Sequence, residues 1–409
     1  MKYVFFTLRD FVRDGGDTIR MYGVVNALAE QGEEVILLSN AVNYSNFHPA
    51  IRHVFLDVKF SQKALFQGLL AILPPKLMGF LYSKMLSKIS AKFSNYNSRN
   101  NNFIFFEYLD NSFAYLLYKC KKINHYINDI HGVAPIEFNY VKKLSKNPLK
   151  KLFFLLKLMF AEKLDKKMFE NARGLIYSSQ AMKAYFENKY DLKNTQFAVL
   201  PNLISENVRK SKIDSDLLEK LRVRYEIKEK DFILLFVGGY KATSGLDDLV
   251  QVFCKLSGYR SNMKLILIGY GPVKKEVEKL VKDLSLNDKV FFIEKVPYEK
   301  LYTYQSLAHI VVCPDKENEF SNLIVHLKYL DSLVSGKPVV ASNFKSVAEI
   351  NVDDSLSVGF KPSDKKDLYE KIKYCMNNYD DMLKKYAHVR EYAFENLTYK
   401  SHINALTVF

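Results

Sequence analysis

Nine short apolar runs recur from one end of the chain to the other, at 3–7, 35–39, 103–106, 174–177, 232–237, 264–268, 290–293, 310–313 and 338–341. Each is too short for a helix, is rich in β-branched and aromatic residues, and is apolar on successive rather than alternate positions. That pattern is a strand buried on both faces, as in a parallel sheet covered by helices. The longer segments between the runs carry helical spacing, so the chain reads as consecutive βαβ units. A length of 409 residues exceeds what one core usually organises. The prediction is therefore an α/β protein with two doubly wound domains. The break falls near 201–212, where Pro201-Asn202 follows a strand and the charged run Arg209-Lys210-Ser211-Lys212 precedes a fresh αβ series.

Composition narrows the classes further. Apolar residues make up 48% of the chain and charged ones 26%, a folded balance rather than a disordered one. The cysteines, Cys120, Cys254, Cys313 and Cys375, are far apart and show no Cys-x-x-Cys spacing. Neither a disulfide framework nor a zinc site is indicated, and a reducing cytosol fits best. The opening Tyr3-Val4-Phe5-Phe6 meets Arg9 and Asp10 too soon for a signal peptide, and no segment holds the roughly 20 apolar residues that span a bilayer. The formal net charge of +15 attracts polyanions: nucleic acid, anionic lipid or phosphorylated substrates. Biased coding composition explains the same total. Nucleic-acid binding would rest on charge alone, without a recognition motif, so no nucleic-acid partner is expected. Two helical stretches, 61–92 and 149–170, mix Leu, Met and Phe with lysines such as Lys76, Lys84, Lys150 and Lys157. Basic amphipathic helices with aromatic anchors suit a membrane surface; a core helix with a solvated lysine face is the alternative.

Three strand-to-helix turns carry glycines. The first holds Asp14-Gly15-Gly16-Asp17 before a helix at 18–31; the second is Val237-Gly238-Gly239-Tyr240-Lys241; the third is Ile268-Gly269-Tyr270-Gly271-Pro272. Glycine lets backbone approach a ligand closely, and a helix N-terminus favours anions, although a glycine turn also has a purely structural explanation. Two glycines after 232–237 leave room for a diphosphate, and Lys241 would add charge. None of the turns has the spacing of a dinucleotide fingerprint, so no NAD is expected. In the stretch 317–342, Ser321 or Asn322 is placed to cap a helix whose free N–H groups would face a phosphate. Lys328 and Asp331, three apart, share a face of that helix. They would hold a diphosphate and a ribose hydroxyl; a surface ion pair explains the same spacing. His131-Gly132 follows a strand-like segment at 123–130, at the edge where open α/β sheets bind ligands.

Taken in order, these pieces resemble the retaining GT-B glycosyltransferases of family 4, or group 1. They are Gly15-Gly16 with Arg20, Asp129-Ile130-His131-Gly132, Ile176-Tyr177-Ser178-Ser179, Val199-Leu200-Pro201-Asn202, Phe236-Val237-Gly238, Ile268-Gly269-Tyr270-Gly271-Pro272 and Ser335-Gly336-Lys337-Pro338-Val339-Val340. The resemblance implies two Rossmann-like doubly wound domains facing a central cleft: 1–203 for the acceptor, 204–386 for a nucleotide-sugar, and 387–409 crossing back to the first domain. It implies Gly16 near the donor diphosphate, and His131, with Asp331, as the catalytic residues. Gly238, Gly239, Lys241, Gly269, Lys328 and the segment Ser321-Asn322-Leu323 would face phosphates. Val296 would lie by the base and Asp331 by the ribose.

The activity that the resemblance implies is transfer of a sugar from a UDP- or GDP-sugar to a glycan or lipid-linked acceptor at the cytoplasmic face of a membrane. Retention is implied in the same way. No Asp-x-Asp motif sits in a convincing loop, so neither a metal nor a cofactor is expected. Two departures stand out. The family has arginine and lysine where this chain has Gly239 and Ser244. Two alternatives stay open: a nucleotide-sugar epimerase of the same fold, whose extra cleft carboxylates are not evident in the sequence, and a non-catalytic partner subunit of a transferase complex, which only the missing arginine and lysine support.

Overall fold

The computed structural model describes residues 2–11, 16–204, 212–294 and 296–409. Asp14 and Gly15 of the first turn and residues 205–211 of the expected linker lie outside the described residues. The chain divides into two compact units, Met1–Asn202 with Tyr399–Phe409, and Leu203–Thr398.

In the first unit the strands are β1 (Lys2–Phe6), β2 (Glu34–Ser39), β3 (Arg52–Phe55), β4 (Asn101–Phe105), β5 (Ile127–Ile130), β6 (Gly174–Tyr177) and β7 (Gln196–Val199). They form one parallel sheet in the order β3-β2-β1-β4-β5-β6-β7. The second unit has β8 (Phe232–Val237), β9 (Met263–Ile268), β10 (Val290–Ile293), β11 (Ile310–Cys313), β12 (Val339–Ser342) and β13 (Val358–Phe360). These are also parallel, in the order β10-β9-β8-β11-β12-β13. Both orders reverse once, between β1 and β4 and between β8 and β11. Loops after the central strands therefore diverge there and leave a crevice at the carboxyl edge. Apart from the end residues Lys2 and Val237, the central strands β1, β4, β8 and β11 are buried.

Two expectations need correction. The stretch 61–92 is not one helix but three, Lys63–Ile72, Pro75–Leu81 and Ser83–Phe93. Pro74 and Pro75 cause the first break, because the residue before a proline is pushed out of the helical region; Leu73 is extended, at φ −81° and ψ 154°. The stretch 149–170 is one helix, Pro148–Phe169, with proline in its first turn and Asn147 accepting from the Lys150 amide. The tail divides later than 387. The helix Val389–Asn396 stays with the second unit, where Arg390 donates to the Val334 carbonyl. From Tyr399 onward the chain belongs to the first unit, and glycines make room for it. A Cβ on Gly23 would lie 2.0 Å from the Tyr399 ring, and one on Gly174 would lie 2.3 Å from the Phe409 ring.

Arg20 ties the first unit together from inside. It is fully buried, and its Nε and Nη2 donate to the two carboxylate oxygens of Asp129 at 2.9 and 2.8 Å. Its Nη1 donates to the carbonyls of Leu200 and Pro201, both at 2.9 Å. One guanidinium thus joins the first helix, the end of β5 and the segment after β7. Replacing Arg20 with Met strands the Asp129 carboxylate in the core. Urea denaturation is expected to show a loss of about 3–5 kcal/mol; a loss under about 1 kcal/mol would contradict the structural role given to the pair.

Candidate functional site

In the second unit, two glycine turns at the carboxyl ends of β8 and β9 are zipped together. The Gly238 amide donates to the Ile268 carbonyl and the Tyr240 amide to the Tyr270 carbonyl, both at 2.9 Å. The buried Tyr240 hydroxyl closes the pair by donating to the Leu267 carbonyl at 2.9 Å. Side chains are excluded from this contact. A Cβ at Gly269, φ 140°, would lie 1.9 Å from the Gly238 oxygen. At Gly238, φ 154°, it would meet the Lys328 stem at 3.0 Å. So the glycine pattern keeps backbone bare at a sheet edge, as anion-binding turns require.

Lys328 lies across this bare backbone. Its ammonium sits 2.5 Å from the Asp315 carboxylate, with 15% and 8% of the two side chains exposed, and 5.2 Å from the centre of the Phe236 ring. Asp315 follows β11 directly after Pro314, and the Ser342 hydroxyl on β12 donates to its carbonyl. The imidazole of His326 is close by, its pKa pushed down to about 4 by burial, with Lys328 and Lys241 adding to the depression and Asp315 opposing it. The Asn318 amide donates to the Ser321 hydroxyl at 2.8 Å, which leaves that hydroxyl to donate to His326 Nε2, also at 2.8 Å. A neutral His326 accepts that bond. Lys241 is exposed beyond Gly239. Gly238, Gly239, Lys241, Gly269 and Lys328 therefore come together, with Ser321 reaching them through His326.

Other expected residues sit differently. Ser321 and Asn322 do not cap a helix; residues 320–324 form turns, and the helix runs Leu327–Leu333 with His326 before it. Their polar groups are spent on tertiary contacts. Asn322 donates to Glu317 and accepts from the Lys345 amide, and the Ser346 hydroxyl donates to the Ser321 carbonyl. Leu323 is buried, with its amide turned to the Phe320 carbonyl. Lys328 and Asp331 do not pair with each other. Asp331 instead accepts from the Tyr298 hydroxyl at 2.6 Å. Burial raises its carboxyl to about 7, against the lowering effect of that bond. Val296 is half-buried in the loop after β10 that also delivers Tyr298. Ser244, where the resembled family has lysine, is buried and donates to the Gly239 carbonyl at 2.6 Å. It shapes the glycine turn from below rather than presenting charge.

The first unit gathers a second charged cluster at the ends of β1, β4 and β5. His131, whose ring lies 4.9 Å from Phe106, has Nε2 3.7 Å from Asp17 and Nδ1 3.9 Å from Asp129. Burial depresses its pKa, partly offset by Asp129, so the ring is neutral near pH 7. Gly16 begins the helix Gly16–Glu30 and is exposed. Arg9 bridges Asp17 and Glu107. Glu107 caps the helix Tyr108–Lys119 in a reciprocal box with Asp110. Arg9, Glu107, Asp315, His326 and Tyr298 were not singled out from the sequence. Arg9 and Asp315 each lie two or three residues past an apolar run, and that position is the signal that marks them. Among the described residues, no group of three or more His, Cys, Asp or Glu side chains is placed to hold a metal ion. Among the same residues, no helix is long and apolar enough to cross a membrane.

Comparison with known proteins agrees with this geometry. Residues 219–396 match the family model described as glycosyl transferases group 1. The lipopolysaccharide 1,2-N-acetylglucosaminetransferase of Salmonella typhimurium is 25% identical over 217 residues, covering 51% of this chain and 53% of that protein. The chain thus spans about half the length of that curated relative, and about a third of an alpha-D-kanosaminyltransferase from Streptomyces kanamyceticus, at 24% identity over 143 residues. Among solved structures, HepE of Anabaena, crystallised with UDP-glucose, covers 100% of this chain and 98% of its own at a TM-score of 0.69 and 13% identity. WaaG, a glycosyltransferase involved in lipopolysaccharide biosynthesis, covers 99% of each chain at 0.64 and 15%. These likenesses establish the fold as GT-B, with two Rossmann-like parallel-sheet units. In residues 219–396 the chain is similar to the group 1 glycosyl transferases.

Proposed function

We propose that the chain transfers a sugar from a nucleoside-diphosphate donor to a glycan or lipid-linked acceptor, in the synthesis of a surface polysaccharide or glycoconjugate. The observation that carries this reading is the bare glycine backbone of the second unit with Lys328 lying across it and Lys241 beyond. As the glycosidic bond to the donor breaks, negative charge grows on the departing diphosphate. Fixed ammonium groups and backbone amides stabilise that charge without rearranging. In this account Asp315 holds Lys328 in place until phosphate oxygens compete for it, and Asp331 receives the ribose. The first unit is assigned the acceptor, with neutral His131 as a hydrogen-bonding group for the sugar. HepE was crystallised with UDP-glucose, and the Salmonella relative is named for N-acetylglucosamine transfer to lipopolysaccharide. The first supports a nucleotide-sugar donor such as a UDP-sugar, and the second supports sugar transfer to a glycan.

Retention at the anomeric carbon, independence from metal, and work at the cytoplasmic face of a membrane belong to the same reading. The membrane side is supported by exposed apolar residues interleaved with lysines on the helix Pro148–Phe169, among them Leu149 and Phe153 at 76% and 52% exposure.

A thermal-shift panel of UDP-, GDP- and ADP-sugars tests the donor role. A donor at 100 times its Kd stabilises the native state by about 2.7 kcal/mol. The Lys328→Ala variant is expected to lose most of that shift, and an unaltered shift would refute the assigned role. Asp331 gives a pH test. Its carboxyl is raised from 3.8 to about 7 in the fold. The native state therefore keeps a proton that the unfolded chain has released, and stability falls as pH rises from about 4 to about 7. The melting temperature of Asp331→Asn should fall less steeply across that window, whereas a slope identical to the parent's would place the Asp331 carboxyl at an ordinary value.

A further inference from the structure

We propose that His326 is a further donor-binding residue, one that takes up a proton when the nucleotide diphosphate arrives and so becomes a second held cation beside Lys328. This rests on the donor reading above and adds a charge that the free protein does not carry. His326 stands immediately before the helix Leu327–Leu333, with extended backbone at φ −76° and ψ 135°, and is half-buried. The charged groups that face it are Asp315 from the segment after β11, Lys241 from the turn after β8, and Lys328 on the helix it precedes.

Three observations carry this. First, hydrogen bonds fix which ring nitrogen bears the hydrogen. The Asn318 oxygen accepts from the Ser321 amide at 2.8 Å, and its nitrogen donates to the Lys316 carbonyl at 2.7 Å and to the Ser321 hydroxyl at 2.8 Å. Both amide hydrogens are thereby engaged, and the Ser321 hydroxyl gives its own to His326 Nε2 at 2.8 Å. The neutral ring therefore carries its hydrogen on Nδ1. Nδ1 has no hydrogen-bond partner among the described residues. It is a donor in the company of Lys328 and Lys241, the groups assigned to phosphate. Second, the balance of charge around the ring depends on the ligand. Burial and the two lysines hold His326 down at about 4, against Asp315, whose carboxylate is already taken by Lys328 at 2.5 Å. A diphosphate joins this group with two negative charges. One charge at about 5 Å, through an effective dielectric of about 20, changes the affinity for a proton more than a hundredfold. Two such charges carry the ring past neutrality. Third, the turn after β8 brings little fixed charge of its own. Gly239 has no side chain, Ser244 is buried against the Gly239 carbonyl, and Lys241 is exposed. Protonated His326 supplies a cation held in place by Ser321. The proton comes from solvent and lands on Nε2, the Ser321 hydroxyl turns from donating to accepting across the same contact, and Nδ1–H is left to donate to a phosphate oxygen. It returns to solvent when the nucleoside diphosphate leaves.

The experiment titrates the full chain with UDP-glucose and with GDP-mannose, whose diphosphates are esterified at both ends and do not themselves titrate between pH 5 and pH 8. Calorimetry in buffers of different ionisation enthalpy counts the protons taken up on binding. About half a proton or more is expected at pH 7, and Kd should fall about tenfold or more from pH 8 to pH 6. Asp331 is the other group raised to about 7 beside this helix, so the count is repeated in Asp331→Asn, where the uptake should persist. His326→Gln should abolish the uptake and flatten the pH dependence, with the loss of affinity largest at pH 6. A second reading needs no variant at His326. Nitrogen NMR of the parent with labelled histidines should show a neutral Nδ1–H ring in the free protein at pH 7 and an imidazolium with the donor bound. Binding without proton uptake, uptake that survives in His326→Gln, or a ring that stays neutral in the complex overturns the proposal and leaves the donor reading standing. A parent that binds neither nucleotide-sugar sinks the donor reading and this proposal with it.

Discussion

A lysine ammonium held largely out of water needs a counter-charge, and Lys328 takes one from Asp315 at 2.5 Å. An isolated charge so placed costs several kcal/mol. The pair keeps the cation fixed against the backbone of Gly238 at the carboxyl edge of the second sheet. Everything else at that edge serves the same arrangement. Gly238 and Gly269 remove the side chains that would block it, the Tyr240 hydroxyl locks the turn beneath, and burial keeps His326 neutral beside Ser321, so that the site does not gather a third buried charge. A diphosphate offers Lys328 a stronger partner than one carboxylate, together with oxygen atoms for the surrounding amides.

The same economy of buried charge appears in the first unit. Arg20 satisfies Asp129 and two carbonyls at once, which fixes the strand end from which His131 emerges. His131 is thereby held among Asp17, Asp129 and Phe106 with a depressed pKa. The departures at Gly239 and Ser244 become intelligible in these terms. Ser244 is buried and committed to the Gly239 carbonyl, so this chain places its cations elsewhere, on Lys328 and Lys241.

The strands buried on both faces were legible because such burial forces an unbroken apolar run. β8 and β11 fall on the runs at 232–237 and 310–313, and the edge strand β10 falls on the run at 290–293. Two other edges were not legible. β3 holds Arg52 and His53 and is exposed at both ends, and β13 has only three residues, so neither leaves a run to read. The segment at 61–92 looked like one helix because its apolar spacing continues through Pro74 and Pro75, where the backbone cannot. In the candidate site, the glycine turns and Lys328 were readable because their chemistry is local. The capping role given to Ser321 and Asn322 was wrong because their partners, Asn318, His326, Glu317 and Lys345, arrive through tertiary packing. Asp315 was marked only by its place just past an apolar run, and Tyr298 by nothing, since their partners Lys328 and Asp331 also arrive through the fold.

The most direct measurement is a crystal structure of the chain grown with UDP. The account predicts diphosphate oxygens within about 3 Å of the Lys328 ammonium and of a backbone amide in the Gly238-Gly239 turn. Diphosphate bound elsewhere, with Lys328 still on Asp315 and that turn empty, would contradict it.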